Sequence, residues 1–366
     1  MKILYLTPII NDEGGVARVL SIKTNYLIEK YQYQVAIITQ NQDNTPFFFE
    51  FNDSIELYNI PRSKGKLRNY ISYRKEVLKH IAIINPDYIV VCDFGYKGFL
   101  LPFFISTTVP LFFEAHGSLH NESQLLSDNL FIRIGQRLKY TLRSLCAKKF
   151  DAFIVLSKES LNEWKVKKGF VIPNPNWITT SDSPQLNSKK IIVVARHSFE
   201  KGLDRLFEIW KKVSVNHPDW TLEIYGNKTP KIDLLTLATE LNISSSITFH
   251  KPEKDIVTKY LESSIYVMTS RSEGFPMVLI EAMSCGLPVV AFDCPIGPRA
   301  IINNNKNGFL IEDGNYSDFI SKLYLLIRNS EVRAKMGLSA KESVAKYSVE
   351  IIMKQWDDLF QNFQKH

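Results

Sequence analysis

IYVMTSRSEGFPMVLIEAMSCGLPVVAF, residues 265–292, alternates two kinds of local structure within one short stretch. Its first four residues are an unbroken apolar run of strand length, and a polar loop follows as far as Glu273. Gly274-Phe275-Pro276 then makes a tight entry that sets proline near the first turn of a helix over 277–284. A second apolar run, 289–292, closes the unit. Strand, helix and strand in succession are the βαβ unit of a parallel sheet.

The same rhythm extends in both directions. Downstream of residue 188, strands are expected at 191–195, 221–225 and 247–250, with a helix at 203–213. Upstream, runs at 3–6, 35–39, 88–92, 111–114 and 152–156 alternate with helix-length segments. Between the halves lies VIPNPNWITTSDSPQLNS, residues 171–188, where Pro, Asn and Ser dominate and no periodicity survives, so it reads as a linker. The last segment, from Ser348 as N-cap, carries an Ile, Trp, Leu and Phe stripe and reads as a helix. The expectation is an α/β protein of two doubly wound domains.

Composition agrees with two ordinary cores: 366 residues, 45% apolar and 23% charged, are far from disordered or fibrous chains. Four cysteines without a CxxC pair suggest neither a disulfide framework nor structural zinc, and point to a reducing compartment. The apolar start MKILYLTPII lacks a small-residue cleavage site and reads as a strand. Residues 99–113 are interrupted by Pro102 and Pro110 and are too short to span a bilayer.

The net charge of +7 is unevenly placed. Residues 1–175 hold 22 Lys and Arg against 16 Asp and Glu, leaving 23 against 22 for the rest. Within 131–149 there is no acid, and Arg133, Arg137, Lys139, Arg143, Lys148 and Lys149 are interleaved with Phe131, Ile134, Leu138, Leu142 and Leu145 at three- and four-residue spacing. That is an amphipathic helix with a cationic face. Such a helix either packs on its own domain with the charges in water or lies on an anionic membrane. Nucleic-acid binding is not expected, because RNP-like aromatic strands and basic recognition helices are missing.

Ligands of open α/β sheets bind beyond the carboxyl ends of strands, so the loops there carry the chemistry. After the first strand, Gly14 and Gly15 open a helix and either offer backbone amides to an anion or simply make a turn. After the strand at 191–195, Arg196 and Lys201 form a diphosphate clamp or a pair of surface cations. Backbone amides of Gly274, Phe275, Pro276, Met277 and Val278, proline itself having none to donate, stand near the positive end of a helix dipole. Glu273 and Glu281, eight residues apart, suit hydroxyl recognition on a sugar and a ribose, the alternative being surface acids.

Taken together, Gly14-Gly15, Glu114-Ala115-His116-Gly117, Arg196 with Lys201-Gly202, and the Glu273 to Val290 block resemble the retaining nucleotide-sugar glycosyltransferases of family 4, of the bacterial polysaccharide group 1 type. The resemblance implies a GT-B fold, in which two Rossmann-like domains face across a cleft and a C-terminal helix crosses back to the first. It thus divides the chain into an acceptor-binding domain, 1–175 with 348–366, and a donor-binding domain, 176–347. By the same resemblance Arg196 and Lys201 hold the donor diphosphate, Glu281 the ribose, Glu273 the sugar hydroxyls, and the 274–278 backbone the sugar and phosphate. Gly15 approaches the diphosphate, and His116 is the histidine near the reacting sugar.

No metal or cofactor is expected: there is no DxD after a strand and no His/Asp/Glu cluster at ligand spacing. The implied reaction moves a hexosyl or N-acetylhexosaminyl group, from a UDP-sugar, to an acceptor hydroxyl. A glycan or polyprenyl diphosphate-linked acceptor at the inner face of the cytoplasmic membrane fits the segment 293–299 and the basic first half. An NDP-sugar 2-epimerase of the same architecture is the alternative.

Overall fold

A computed structural model describes residues 1–40, 45–120, 130–229 and 233–363. The chain forms two compact units, one of Met1–Pro175 with Val349–His366, the other Asn176–Ser348.

In unit 1 the chain runs β1 (Lys2–Leu6), α1 (Gly15–Tyr31), β2 (Gln34–Gln40), β3 (Glu56–Ile60), α2 (Lys66–Ile84), β4 (Tyr88–Val91), α3 (Tyr96–Phe104), β5 (Leu111–Ala115), α4 (Leu130–Ala147), β6 (Ala152–Val155), α5 (Lys158–Trp164) and β7 (Gly169–Val171). The seven strands are parallel in the order β3-β2-β1-β4-β5-β6-β7. Side chains alternate across the sheet. Leu4, Leu6, Ile89, Val91, Phe113 and Phe153 share one core with α2, α3, α4 and α5, in which Phe99 stacks on Phe113 and Trp164.

Unit 2 continues with β8 (Lys190–Val194), α6 (Leu203–Asn216), β9 (Thr221–Tyr225), α7 (Leu234–Glu240), β10 (Ile247–His250), α8 (Ile256–Leu261), β11 (Ile265–Met268), α9 (Met277–Ser284), β12 (Val289–Asp293), β13 (Phe309–Glu312), α10 (Tyr316–Arg328) and α11 (Ser330–Val344). Its six parallel strands are ordered β10-β9-β8-β11-β12-β13. The chain ends with α12 (Val349–Asn362), which belongs to unit 1 and packs on α1. There Phe360 lies on Phe112 and Tyr88, and the Tyr88 hydroxyl donates to the Phe360 carbonyl.

The strand order reverses beside β1 in one sheet and beside β8 in the other. These are the switch points at which crossovers leave opposite sides of the sheet and open a crevice. Among the described residues no helix is long and apolar enough to cross a membrane. The four cysteines are buried thiols.

Three strands escape the sequence reading: β3 is a half-exposed edge strand, β7 has three residues, and β13 follows an Asn- and Gly-rich turn. β7 takes the first residue of the segment read as a linker. The rest of that segment is irregular, with residues 172–175 in unit 1 and those from Asn176 on tied to unit 2. The Asn176 amide nitrogen donates to Ser284 and Ile178, and the Gln185 amide donates to the Leu261 carbonyl.

Helix α4 has the orientation opposite to simple inward packing of its apolar stripe. Tyr140, Arg143, Cys146 and Ala147 face the core, while Phe131, Ile134, Leu138, Leu142 and Leu145 are exposed. Periodicity shows which residues share a helix face, but the sheet decides which face is covered.

Candidate active site

In unit 2 two loops beyond β8 and β11 are strapped together at the switch point. Gly202, at φ +62°, brings its backbone so close to Thr269 that an added Cβ would stand 2.1 Å from the Thr269 carbonyl oxygen. Only glycine takes that conformation without strain and leaves that space. The Thr269 hydroxyl donates to the Gly202 carbonyl at 2.9 Å. The Arg271 amide donates to the Glu200 carbonyl, and the Arg271 guanidinium forms a two-pronged pair with Asp204 at 2.8 and 2.6 Å while lying over Phe199.

This strapping brings Lys201, at the end of a 3-10 turn, to Glu273, with Nζ 2.7 Å from Oε1. The Lys201–Glu273 pair thus joins two residues that the sequence names separately, 72 positions apart. Arg196 lies at the end of β8 with its side chain exposed.

Glu273 is buried and its backbone bridges to Ile296 in the loop after β12. Ile296 adopts φ +80°, a strained conformation for a β-branched residue, and a Cβ on Gly297 would lie 2.8 Å from Glu273 Cβ and from Pro276. Pro276 is the N-cap of α9. Phe275 and Met277 turn their side chains into the protein, Phe275 against Tyr347, whereas Gly274 and Val278 are partly exposed.

Glu281, on the second turn of α9, is buried with both oxygens engaged. The Trp177 indole donates to one at 2.8 Å, and the Tyr260 hydroxyl donates to the other at 3.2 Å. Burial, then the Glu281 charge, raise the Tyr260 hydroxyl well above its ordinary value, so it stays a donor. A carboxylate held by one donor on each oxygen keeps further lone pairs for hydroxyls.

In unit 1, Gly14 is the N-cap of α1, with its amide on Asp12. Apart from its chain neighbours and its own helix backbone, no described atom lies within 4 Å of where a Cβ on Gly15 would stand. His116 follows β5, and its loop is held by Glu163 of α5, whose carboxylate accepts from the Ser118 hydroxyl and the Leu119 amide. Burial lowers the His116 ring below its ordinary value despite Glu114.

Glu114 lies beside His116, Oε1 to Nε2 3.6 Å, and its other oxygen accepts from the fully buried Lys23 ammonium at 2.5 Å. Burial opposes the Glu114 charge most strongly, but Lys23, His116 and the hydrogen bonds from Lys23 and Cys92 together outweigh it and hold the carboxyl below its usual range. Cys92, Glu114 and His116 bring one ligand-type atom each within 4.8 Å of one another. The sequence, which expected no such cluster, could not show this grouping, because Cys92 lies at the end of one strand and the 114–116 segment at the end of another. Lys23 already gives Glu114 a positive partner there.

The sequence also missed Trp177, Tyr260, Asp204–Arg271 and Lys23. Trp177 lies in the aperiodic linker, and the others read as ordinary helix or loop residues.

Two doubly wound parallel units with cationic and acidic loops at a switch point define a GT-B type α/β protein. The fold matches that of a mutant of S. aureus TarM in complex with fondaparinux, alpha-GlcNAc-glycerol and UDP, with TM-score 0.79, 17% identity, and coverage of 99% of this chain and 100% of that one. Residues 163–343, just under half of the chain, match the family model of the glycosyl transferases group 1. It is 29% identical over 362 residues to an uncharacterized glycosyltransferase of Haemophilus influenzae, covering 97% of this chain and 98% of the relative. It is 27% identical over 369 residues to the amylovoran biosynthesis glycosyltransferase AmsD of Erwinia amylovora, covering 98% and 99%. The chain is therefore a transferase enzyme, and the epimerase alternative finds no support in these relatives.

Proposed function

We propose that the enzyme transfers a hexosyl or N-acetylhexosaminyl group from a UDP-sugar to a glycan hydroxyl with retention at the anomeric carbon. The observation that carries this reading is the Lys201–Glu273 pair at the head of α9. UDP in the TarM structure and the polysaccharide role in the AmsD name support the donor and acceptor class.

The arrangement accounts for the chemistry by charge. A departing diphosphate competes with Glu273 for the Lys201 ammonium, and Arg196 and the α9 dipole add positive charge where the leaving group forms. Glu273, released from Lys201, accepts from sugar hydroxyls, and Glu281 accepts from the ribose. His116, neutral at pH 7, serves as a hydrogen-bond partner of the donor sugar instead of a second cation. In the same-face reading the acceptor oxygen bonds to the anomeric carbon as the bond to phosphate breaks. The acceptor proton passes to the departing phosphate oxygen, so neither a metal nor an enzyme nucleophile takes part. Gly15 supplies its backbone amide to the diphosphate, and Gly14, whose own amide is held by Asp12, makes the turn before it. The acceptor in this reading is a glycan on polyprenyl diphosphate at the inner face of the cytoplasmic membrane.

Nucleotide release from UDP-, GDP- and ADP-sugars by the purified enzyme tests the proposal. One UDP-sugar is expected to raise the melting temperature and be turned over. Arg196→Ala and Lys201→Ala are each expected to lower turnover by at least about 100-fold with the fold intact. Full activity in either variant refutes the assignment.

A further inference from the structure

Helix α4 presents its apolar side away from the protein. At roughly 100° per residue, Phe131, Ile134, Leu138, Leu142 and Leu145 fall on one stripe about 21 Å long. Phe131 is 83% and Leu138 66% exposed. The buried anchors Tyr140, Arg143 and Ala147 lie on the opposite side of the helix. Arg137 falls on one flank of the stripe, with Arg133 farther round on the same side, and Lys139 falls on the other, and no acid occurs from Leu130 to Phe150.

The surface continues onto neighbouring helices. Lys139 reaches over the ring of the exposed Tyr96 on α3, which also exposes Phe103 and Phe104. Phe104 meets Tyr70 of α2 edge-on, and the Arg74 guanidinium donates to the Phe104 carbonyl.

We infer that this face docks the enzyme on an anionic lipid bilayer. The stripe of α4 sits at the acyl boundary, and Arg133, Arg137, Lys139 and Arg74 lie among the headgroups. The charge pattern selects this occupant. Cations border the apolar stripe on both sides without an acid between them, which complements a plane of anionic headgroups over hydrocarbon. Long basic side chains can extend to the headgroups while their stems cover apolar surface. The inference deepens the reading of a lipid-linked acceptor, since such an acceptor is held at that plane.

The test is co-sedimentation of the full chain with vesicles of phosphatidylcholine alone and of equimolar phosphatidylcholine and phosphatidylglycerol. Binding is expected to the anionic vesicles and to be at least about tenfold weaker to the neutral ones. Phe131→Asp/Leu138→Asp is expected to lose at least about tenfold in binding at low salt, and Arg133→Gln/Arg137→Gln to lose binding most at raised salt. Wild-type protein that ignores anionic vesicles, or an aspartate variant that binds as well as wild type, overturns the inference. So does a wild-type oligomer, seen without lipid, that the aspartate variant converts to monomer, because a second copy then covers the stripe. Nucleotide release from a UDP-sugar without vesicles, expected to be unchanged in the aspartate variant, separates the two readings. Vesicle binding without any turnover by wild type sinks the catalytic reading and leaves docking standing.

Discussion

The Lys23 ammonium is fully buried between the Glu114 carboxylate and the ring of Trp356, 3.6 Å from its centroid. A buried pair contributes little net stability when intact, but removing one partner strands a charge in a medium that solvates it poorly. Lys23→Met is therefore expected to cost about 3–5 kcal/mol in denaturant unfolding, and Lys23→Met/Glu114→Leu to recover most of that loss. Equal stability of the two variants would show that the pair is not coupled. Glu114 was legible as part of a motif beside His116, but its partner lies 91 positions away on α1, where a lysine reads as a solvated helix residue. Glu281 is a similar case, since its spacing from Glu273 was visible but the Trp177 and Tyr260 donors that orient it were not.

Among the elements, α4 separates what periodicity says from what packing decides. The sequence counts Arg143 with the other cations of the helix. The structure buries it with its guanidinium over Phe94 and Phe99 and a 3.4 Å hydrogen bond to the Phe94 carbonyl. With few apolar anchors on its inner face, α4 depends on this contact. Arg143→Ala is expected to cost about 2 kcal/mol and to lower amide-exchange protection in α4, leaving β8 to β13 unaffected. Unchanged protection in α4 would show that Tyr140, Cys146 and Ala147 suffice to hold it. Strands buried on both faces, such as β5 and β11, announce themselves as apolar runs, whereas the edge strands β3 and β13 do not.

For the whole molecule, the buried histidines set the response to acid. Burial lowers His116, and burial with nearby Lys228 lowers His197, so each binds its proton less readily when folded. The unfolded chain therefore takes up more protons as pH falls through about 6.5. Stability present above that pH is lost below it. The melting temperature is expected to fall between about pH 7 and pH 5, and His116→Asn to flatten part of that slope. An unaltered slope in the variant would show that His116 protonates as easily folded as unfolded. Glu114, held below its ordinary 4.5, loses its contribution only in a lower window.

The sequence by itself determined the kinds of element, the parallel α/β architecture and the positions of the chemical residues after strands. Each of these follows from local rules: apolar runs of strand length, helical spacing, and glycine and proline at turns. Only the tertiary structure decided that Lys201 meets Glu273, that Lys23 meets Glu114, and that the apolar stripe of α4 faces outward. Those contacts depend on strand order and on which side of a sheet each helix crosses. Two residues 72 or 91 positions apart carry no local signal of the strand neighbours that bring them together.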